Sequence, residues 1–164
     1  MHTLGFASAT IVGVGDWSGD SVPDFAVENG GAVEVYSGAS AALVTTLATT
    51  AVSMTSLPVS ASGARRLVVG DGSNLVAVYD SSGVIQWSRQ GYRGLADAGD
   101  VDGDGLHDVV ARTPQGASVE VLSGFDGSTL LTLPGGGQVA GGVDLDGDLV
   151  PDVAVGDRLS LIHI

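Results

Sequence analysis

Asp100-Val-Asp-Gly-Asp-Gly-Leu-His-Asp108 is the clearest of three acidic nonapeptides in this chain of 164 residues. The other two are Asp144-Leu-Asp-Gly-Asp-Leu-Val-Pro-Asp152 and the weaker Asp16-Trp-Ser-Gly-Asp-Ser-Val-Pro-Asp24. Each places oxygen-bearing side chains at positions 1, 3, 5 and 9 of a tight loop. Alternate side chains of such a loop can converge on one centre, and Ca²⁺ takes about six to eight oxygen ligands. The spacing therefore predicts three calcium loops, of which the loop at Asp16 is the weakest.

Most of the negative charge of the chain comes from the three nonapeptides. The net charge is −13, and eleven of the 19 acidic residues lie in the three nonapeptides. Four carboxylates crowded into one loop repel each other unless a cation is present. All six basic residues are arginines without a basic cluster, so nucleic-acid binding is not expected. The absence of cysteine excludes disulfides, zinc–thiolate sites and thiol catalysis.

A second repeated motif sets the length of the structural unit. Val33-Glu-Val-Tyr-Ser37, Val76-Ala-Val-Tyr-Asp80 and Val119-Glu-Val-Leu-Ser123 follow one another at intervals of 43 residues. The middle unit carries no nonapeptide, and Arg66 stands where the other units have their last loop aspartate. We therefore expect this unit to have lost its cation site.

The repeat divides the chain into units of about 43 residues, and the last of them is incomplete. The tail 159–164, Leu-Ser-Leu-Ile-His-Ile, resembles the translation of a sequencing adapter, and we expect it to be non-native; the alternative is a short terminal strand. The predicted units span residues 9–51, 52–93, 94–136 and 137–158.

Each unit has the pattern of four short strands separated by turns. One strand leads into the loop (Thr10 to Val14), an apolar strand follows the last aspartate, an alternating strand comes third (Val119-Glu-Val-Leu122), and a weaker strand closes the unit (Leu130 to Leu133). Such a pattern with a period near 43 is typical of β-propeller blades. We predict an all-β fold of about three and a half blades of four antiparallel strands. A propeller usually closes with about four to eight blades, so this propeller is incomplete.

The loops resemble those of a known family. Asp-x-Asp-Gly-Asp-Gly-x-x-Asp followed by an apolar strand resembles FG-GAP repeats, which form the seven-bladed propeller of integrin α subunits, and the related VCBS-like repeats of secreted bacterial proteins. The complete Phe-Gly and Gly-Ala-Pro signatures are not both present, so the resemblance is to the bacterial relatives. EF-hands are excluded because position 12 is valine or alanine and the flanks are strands. The resemblance implies metal ligation by the side chains of Asp16, Ser18, Asp20, Asp24, Asp100, Asp102, Asp104, Asp108, Asp144, Asp146, Asp148 and Asp152, and by the carbonyls of Val22, Leu106 and Val150.

The function implied is a calcium-binding repeat module of a secreted or cell-surface protein. Up to three Ca²⁺ ions would stabilise the blades, and the partner would be a protein or a glycan, as in cell adhesion. The alternative is the propeller portion of a secreted enzyme such as a polysaccharide lyase. We expect no catalysis, because His107 is the one internal histidine and no Ser/His/Asp arrangement can be argued from the sequence. His107 itself is expected to be exposed and not a metal ligand. Trp17 and Trp87 are expected to pack in the core instead of stacking on a ligand.

The sequence also gives expectations about targeting and about closure of the propeller. No signal peptide is visible at Met1-His-Thr-Leu-Gly5, and no stretch has the length and hydropathy of a membrane span. Three and a half blades do not close a ring. The remaining blades, or symmetric copies of the chain, are therefore expected as closing partners.

Overall fold

A computed structural model of the chain describes residues 10–47, 49–59, 65–157 and 160–162, with the backbone alone at 157 and 160–162. The described residues contain strands and turns and no helix, so none of them forms a helix that could cross a membrane. The strands are β1 (Ile11–Gly15), β2 (Asp24–Glu28), β3 (Val33–Tyr36), β4 (Leu43–Leu47), β5 (Ser53–Pro58), β6 (Arg65–Gly70), β7 (Leu75–Tyr79), β8 (Ile85–Gln90), β9 (Arg93–Gly99), β10 (Asp108–Arg112), β11 (Ser118–Leu122), β12 (Thr129–Pro134), β13 (Gln138–Val143), β14 (Asp152–Asp157) and β15 (Ser160–Ile162).

Consecutive strands form four separate antiparallel sheets. Sheet 1 has the order β1-β2-β3-β4, sheet 2 has β5-β6-β7-β8, sheet 3 has β9-β10-β11-β12, and sheet 4 has β13-β14-β15. Within each sheet, every strand pairs with the strands that precede and follow it in sequence. Short turns between the strands allow this antiparallel pairing. The last sheet has three strands where the others have four, and its third strand lies within the tail 159–164.

The core is divided into three layers, one between each pair of successive sheets. Sheets 1 and 2 enclose Val35 and Leu67, sheets 2 and 3 enclose Val78 and Val109, and sheets 3 and 4 enclose a further valine-rich layer. The second strand of sheet 3 is fully buried from Asp108 to Ala111, since both of its faces are covered by neighbouring sheets. Such a strand needs apolar side chains in succession, which explains why the sequence there does not alternate.

The first strands of the four sheets lie next to one another. The strands β5 and β13 both contact β9, and β1 contacts β5, so the first strands line one side of the stack. The three acidic nonapeptides begin where β1, β9 and β13 end. They connect each of these strands to the second strand of its sheet, and they therefore lie at the same edge of sheets 1, 3 and 4.

Candidate cation loops

The three nonapeptides fold in the same way because their carboxylates accept hydrogen bonds from their own backbone. The aspartate at position 5 accepts from the N–H of position 7 in every loop, at 2.7 to 2.8 Å. The aspartate at position 1 accepts from the N–H of position 6, at 2.8 to 2.9 Å. These bonds explain why short acidic side chains occupy those positions, since Asp readily bonds to backbone groups a few residues away.

The loops also require a left-handed backbone at positions 4 and 6. Position 4 is glycine throughout, with φ of +80° at Gly19, +77° at Gly103 and +88° at Gly147. Position 6 is Gly105 in the best loop, with φ +87°, but Ser21 (φ +67°) and Leu149 (φ +75°) elsewhere. A side chain other than glycine is disfavoured in this region. The backbone at Leu149 is therefore strained. The sets of predicted ligands differ between loops, and so does their backbone strain.

The aspartate at position 9 is the buried anchor of each loop. Asp108 is fully buried, and its Oδ2 accepts from Val101 N–H at 2.8 Å while its Oδ1 accepts from Gly124 N–H at 2.8 Å. Asp24 repeats this arrangement, accepting from Trp17 N–H at 2.8 Å and Gly38 N–H at 3.0 Å. Each of these aspartates therefore ties its loop to the turn between the third and fourth strands of the same sheet.

Burial changes the acidity of Asp108. Loss of solvent raises the pKa of this carboxyl to about 6, although the hydrogen bonds from Gly124 and Val101 act in the opposite direction. The nearby carboxylate of Asp102 contributes to this rise in the pKa. An ionised group at this position is thus disfavoured by its surroundings, and a bound cation is the kind of neighbour that compensates such a carboxylate.

Two of the loops bring three carboxylates together. Oxygen atoms of Asp100, Asp102 and Asp108 lie within 4.8 Å of one another, as do those of Asp144, Asp146 and Asp148. In the first cluster, Oδ1 of Asp100 is buried and has no hydrogen-bond partner. Buried polar atoms in folded proteins are normally paired. The residues present therefore fit a hard cation.

The other predicted ligands lie outside these clusters. Asp104 is exposed and directs Oδ1 to Leu106 N–H, and Asp152 accepts from Leu145 N–H at 2.6 Å. In the first loop Asp16, Asp20 and Asp24 form no such cluster among the described residues. Ser18 there donates its N–H to Asp24 at 2.6 Å. The carbonyls predicted from the resemblance belong to residues whose N–H groups close the position 5 to 7 turns, namely Val22, Leu106 and Val150.

Sheet 2 has no acidic nonapeptide before its second strand. Cross-strand pairing aligns Leu67 with Tyr79 as it aligns Val109 with Leu122, which places Arg66 at the position of Asp108. The loop residues 60–64 before it lie outside the described residues. The Arg66 guanidinium donates to Gly124 O at 2.7 Å, so this side chain bonds to the next sheet.

Two glycines at the loops were not singled out from the sequence. A Cβ atom at Gly124 would overlap His107 O, and one at Gly38 would overlap Pro23 O. The signal was present in the repeat, because Ser37 to Leu47 aligns without gaps with Ser123 to Leu133. The two complete units that carry a loop have Ser-Gly there, whereas the unit without a loop has Asp80-Ser81.

The aromatic residues and the histidine can be placed as well. Trp17 and Trp87 are buried and donate Nε1–H to carbonyl oxygens of the next sheet, so the expectation of core packing is confirmed. His107 is only partly exposed, contrary to the expectation of an exposed side chain, because its Nδ1 lies 2.9 Å from a carboxylate oxygen of Asp97. Asp97 belongs to the preceding strand β9, a proximity that the loop sequence does not encode.

Comparison with known proteins supports the fold. No family model matches the chain, and no curated protein matches it. Among solved structures, a crystal structure of BBS1N in complex with ARL6DN soaked with lead is similar with a TM-score of 0.68 at 14% identity, over 98% of this chain and 55% of that one. The same complex soaked with mercury gives a TM-score of 0.64 at 13% identity, over 88% and 46%. The β-propeller domain of Cps50 (Swd1) from Myceliophteria thermophila gives 0.61 at 14% identity, over 94% and 52%.

These similarities confirm the predicted fold class. The chain is a set of β-propeller blades, with four antiparallel strands in each of the first three described sheets, and it spans about half the length of these structures. The propeller is incomplete, as the count of repeat units predicts. The resemblance to FG-GAP and VCBS-like repeats was drawn from the loop sequences, and no family model adds to it.

Proposed function

We propose that this chain is a calcium-stabilised, non-catalytic propeller module of a secreted or cell-surface protein. The observation that carries the proposal is Oδ1 of Asp100, which is buried without a partner beside the carboxylates of Asp102 and Asp108. Oxygen-only ligands in a flexible loop suit Ca²⁺ better than Mg²⁺, which requires a stricter octahedral arrangement. The cluster of Asp144, Asp146 and Asp148 is the second candidate site.

The role of the ion follows from where the loops lie. Each loop joins an inner strand to a buried strand, and Asp108 extends this connection to the turn at Gly124. A cation that neutralises the loop would therefore strengthen the link between three segments of one blade. We propose that Ca²⁺ has a structural role and that recognition of a protein or glycan uses other surfaces of the module.

The proposed module is part of a larger propeller. The solved structures that resemble this chain are about twice as long, and BBS1N is crystallised in a complex with ARL6DN. These observations support a propeller that is closed by further blades or by symmetric copies, and that takes part in binding. The absence of a nucleophile, acid and base arrangement in the sequence favours a binding role over an enzymatic one.

Thermal unfolding in EDTA and in Ca²⁺ tests the proposal. With a Kd of about 10⁻⁴ M, about 1 mM Ca²⁺ would stabilise the protein by about 1.4 kcal/mol for each site. The variant Asp100→Asn should lose part of this gain, because it removes one charge at the unpartnered oxygen. Asp80→Asn is the matched control, since Asp80 caps a turn in the unit without a loop. Identical melting curves in EDTA and Ca²⁺ would refute the calcium role.

A further inference from the structure

Two arginines face each other across neighbouring strands at the edge opposite the cation loops. Arg93 opens β9 and Arg112 ends β10, and the two are directly paired in the sheet register. The calcium loop joins the other ends of the same strands, about 20 Å away at roughly 3.3 Å per residue. Like charges opposite each other on adjacent strands destabilise a sheet unless something compensates them.

In the described part of the chain, no carboxylate forms an ion pair with either arginine. Although the chain carries a net charge of −13, no arginine with a described side chain has a carboxylate oxygen within 4.0 Å among the described residues. Arg93 donates Nε–H to Asn74 Oδ1 at 2.5 Å, and Arg112 donates from Nη1 to the carbonyls of Gly136 and Gly137 at 3.3 Å. A guanidinium has five N–H donors. Most donors of both groups therefore have no protein acceptor within the described part of the chain.

The two side chains line a cleft between sheets 2 and 3. The cleft has a volume of about 400 Å³, within the size range of small-molecule sites. Sheet 3 contributes Arg93, Gly94 and Arg112, and sheet 2 contributes polar groups that include Ser53 and Asn74. Both walls belong to described sheets, so the cleft does not depend on blades beyond this chain.

The walls of the cleft are held in place by hydrogen bonds. Asn74 O accepts from the N–H groups of Gly91 and Tyr92 at 2.9 and 3.0 Å, which fixes the connection into β9 against the turn before β7. Gly94 has φ +57°, and a Cβ there would lie 2.8 Å from Arg112 Nε, so the absence of a side chain lets the guanidinium lie against the backbone. The arginines are thus positioned before any ligand arrives.

One acidic residue, Asp71, also lines the cleft, and hydrogen bonds within its own turn hold its carboxylate in place. Asp71 Oδ1 accepts from Ser73 N–H at 2.8 Å and Leu75 N–H at 2.9 Å, so the carboxylate is bound within its own turn. These hydrogen bonds keep the pKa of Asp71 below its usual value even though burial acts to raise it, and the group stays ionised. Such a fixed anion accepts hydrogen bonds from hydroxyl groups.

We propose that the cleft between Arg93 and Arg112 binds a uronate residue of an acidic glycan. A sugar carboxylate would take up the free guanidinium donors, since arginine binds carboxylates through paired N–H groups. The sugar hydroxyls match Ser53, Asn74 and Asp71, which offer both donors and acceptors. A strongly acidic peptide fits less well, because it lacks the sugar hydroxyl groups that would donate to the fixed carboxylate of Asp71. This inference gives a ligand class to the binding role proposed above and rests on that role, but it does not depend on calcium.

The test is a calorimetric titration of the whole chain in Ca²⁺ with tri-galacturonate. Neutral maltotriose and an acidic hexapeptide serve as comparison ligands. Tri-galacturonate should bind in preference to both, and its affinity should fall with ionic strength. Arg93→Gln should weaken it about tenfold or more, the usual effect of losing a charge-assisted hydrogen bond. Arg112→Lys, which keeps the charge but loses the planar fork, should weaken it as well.

The control variant is Arg89→Gln. Arg89 donates to Gly127 O and Thr129 Oγ1 outside the cleft, so tri-galacturonate should bind this variant as it binds the original chain. Equal losses in Arg89→Gln and Arg93→Gln, equal binding of maltotriose, or binding of the peptide alone would each overturn the assignment. The absence of tri-galacturonate binding by a chain that is still stabilised by Ca²⁺ would refute the cleft and leave the calcium role standing.

Discussion

Asp108 and Gly124 are joined by a hydrogen bond of 2.8 Å between the carboxylate Oδ1 of the first and the backbone N–H of the second. The same glycine accepts through its carbonyl from Arg66 at 2.7 Å and from Trp87 at 3.1 Å. One peptide segment thus connects a candidate cation loop, its own blade and the preceding blade. The candidate cation loop therefore contributes to packing between blades as well as to its own turn.

The variant Asp108→Ala should unfold more easily even without calcium. It leaves the N–H groups of Val101 and Gly124 without their acceptor in a buried site, and each such loss costs about 1–3 kcal/mol. We expect a loss of about 2–4 kcal/mol in the free energy of unfolding, measured with urea in EDTA. Asp104→Ala is the control, because Asp104 is exposed and should have little effect in EDTA. Equal losses for the two variants would contradict the anchoring role.

The variant Gly124→Ala should destabilise the blade through a backbone collision. A Cβ atom would overlap His107 O, and backbone atoms move less readily than side chains. We expect a loss of about 2 kcal/mol or more, seen as a lower Tm. Gly13→Ala is a matched control inside a strand, since a Cβ there would meet nothing within 4 Å. A Tm for Gly124→Ala equal to that of Gly13→Ala would show that the turn relaxes without penalty.

The variant Arg66→Ala tests the contact between sheets 2 and 3. It removes one of the two donors to Gly124 O, and a hydrogen bond to a charged group contributes about 1.5–3 kcal/mol. Because Trp87 remains as a donor, we expect about 1–2 kcal/mol. The neighbouring Arg65→Ala should cost less, since the Arg65 side chain donates to Ser56 Oγ within its own sheet and to no other sheet among the described residues. Chemical denaturation of both variants makes the comparison, and the reverse order would contradict this account.

The variant Leu149→Gly should improve the third nonapeptide. Leu149 is 90% exposed with φ +75°, so its side chain gives up little packing while its backbone is strained. Relief of about 1–2 kcal/mol of strain, less the entropy that glycine adds to the unfolded chain, predicts a gain of about 0.5–1 kcal/mol. Gly105→Ala at the same position of the second loop should have the opposite sign. A lower Tm for Leu149→Gly in EDTA would contradict the strain argument.

The architecture was largely predictable because its signals are local and repeated. Val33, Val76 and Val119 recur every 43 residues, and each lies in the third strand of its sheet. Val33 begins β3, and Val76 and Val119 are the second residues of β7 and β11. Hydrophobic runs after each loop predict strands buried on both faces, and β10 is such a strand. Strand pairing between neighbours in sequence needs no long-range information.

The site was predictable in its ligand types and less so in its contacts. The spacing of the aspartates predicts the loops, but it does not reveal that Asp108 reaches Gly124 or that His107 reaches Asp97. Those contacts arise where separate strands meet, and they depend on strand register. The sequence does not reveal the Arg93–Arg112 pair either. The two residues are separated in the chain and become neighbours only because β9 pairs with β10.

Direct calcium titration of the metal-stripped chain tests the central claim most directly. Calorimetry should show saturable binding with a Kd of about 10⁻⁴–10⁻³ M, and Asp100→Asn should abolish the heat that comes from its loop while Asp80→Asn leaves the titration unchanged. The same concentration of Mg²⁺ should bind more weakly. A titration without calcium heat, together with an unchanged Tm in Ca²⁺ and EDTA, would contradict the account.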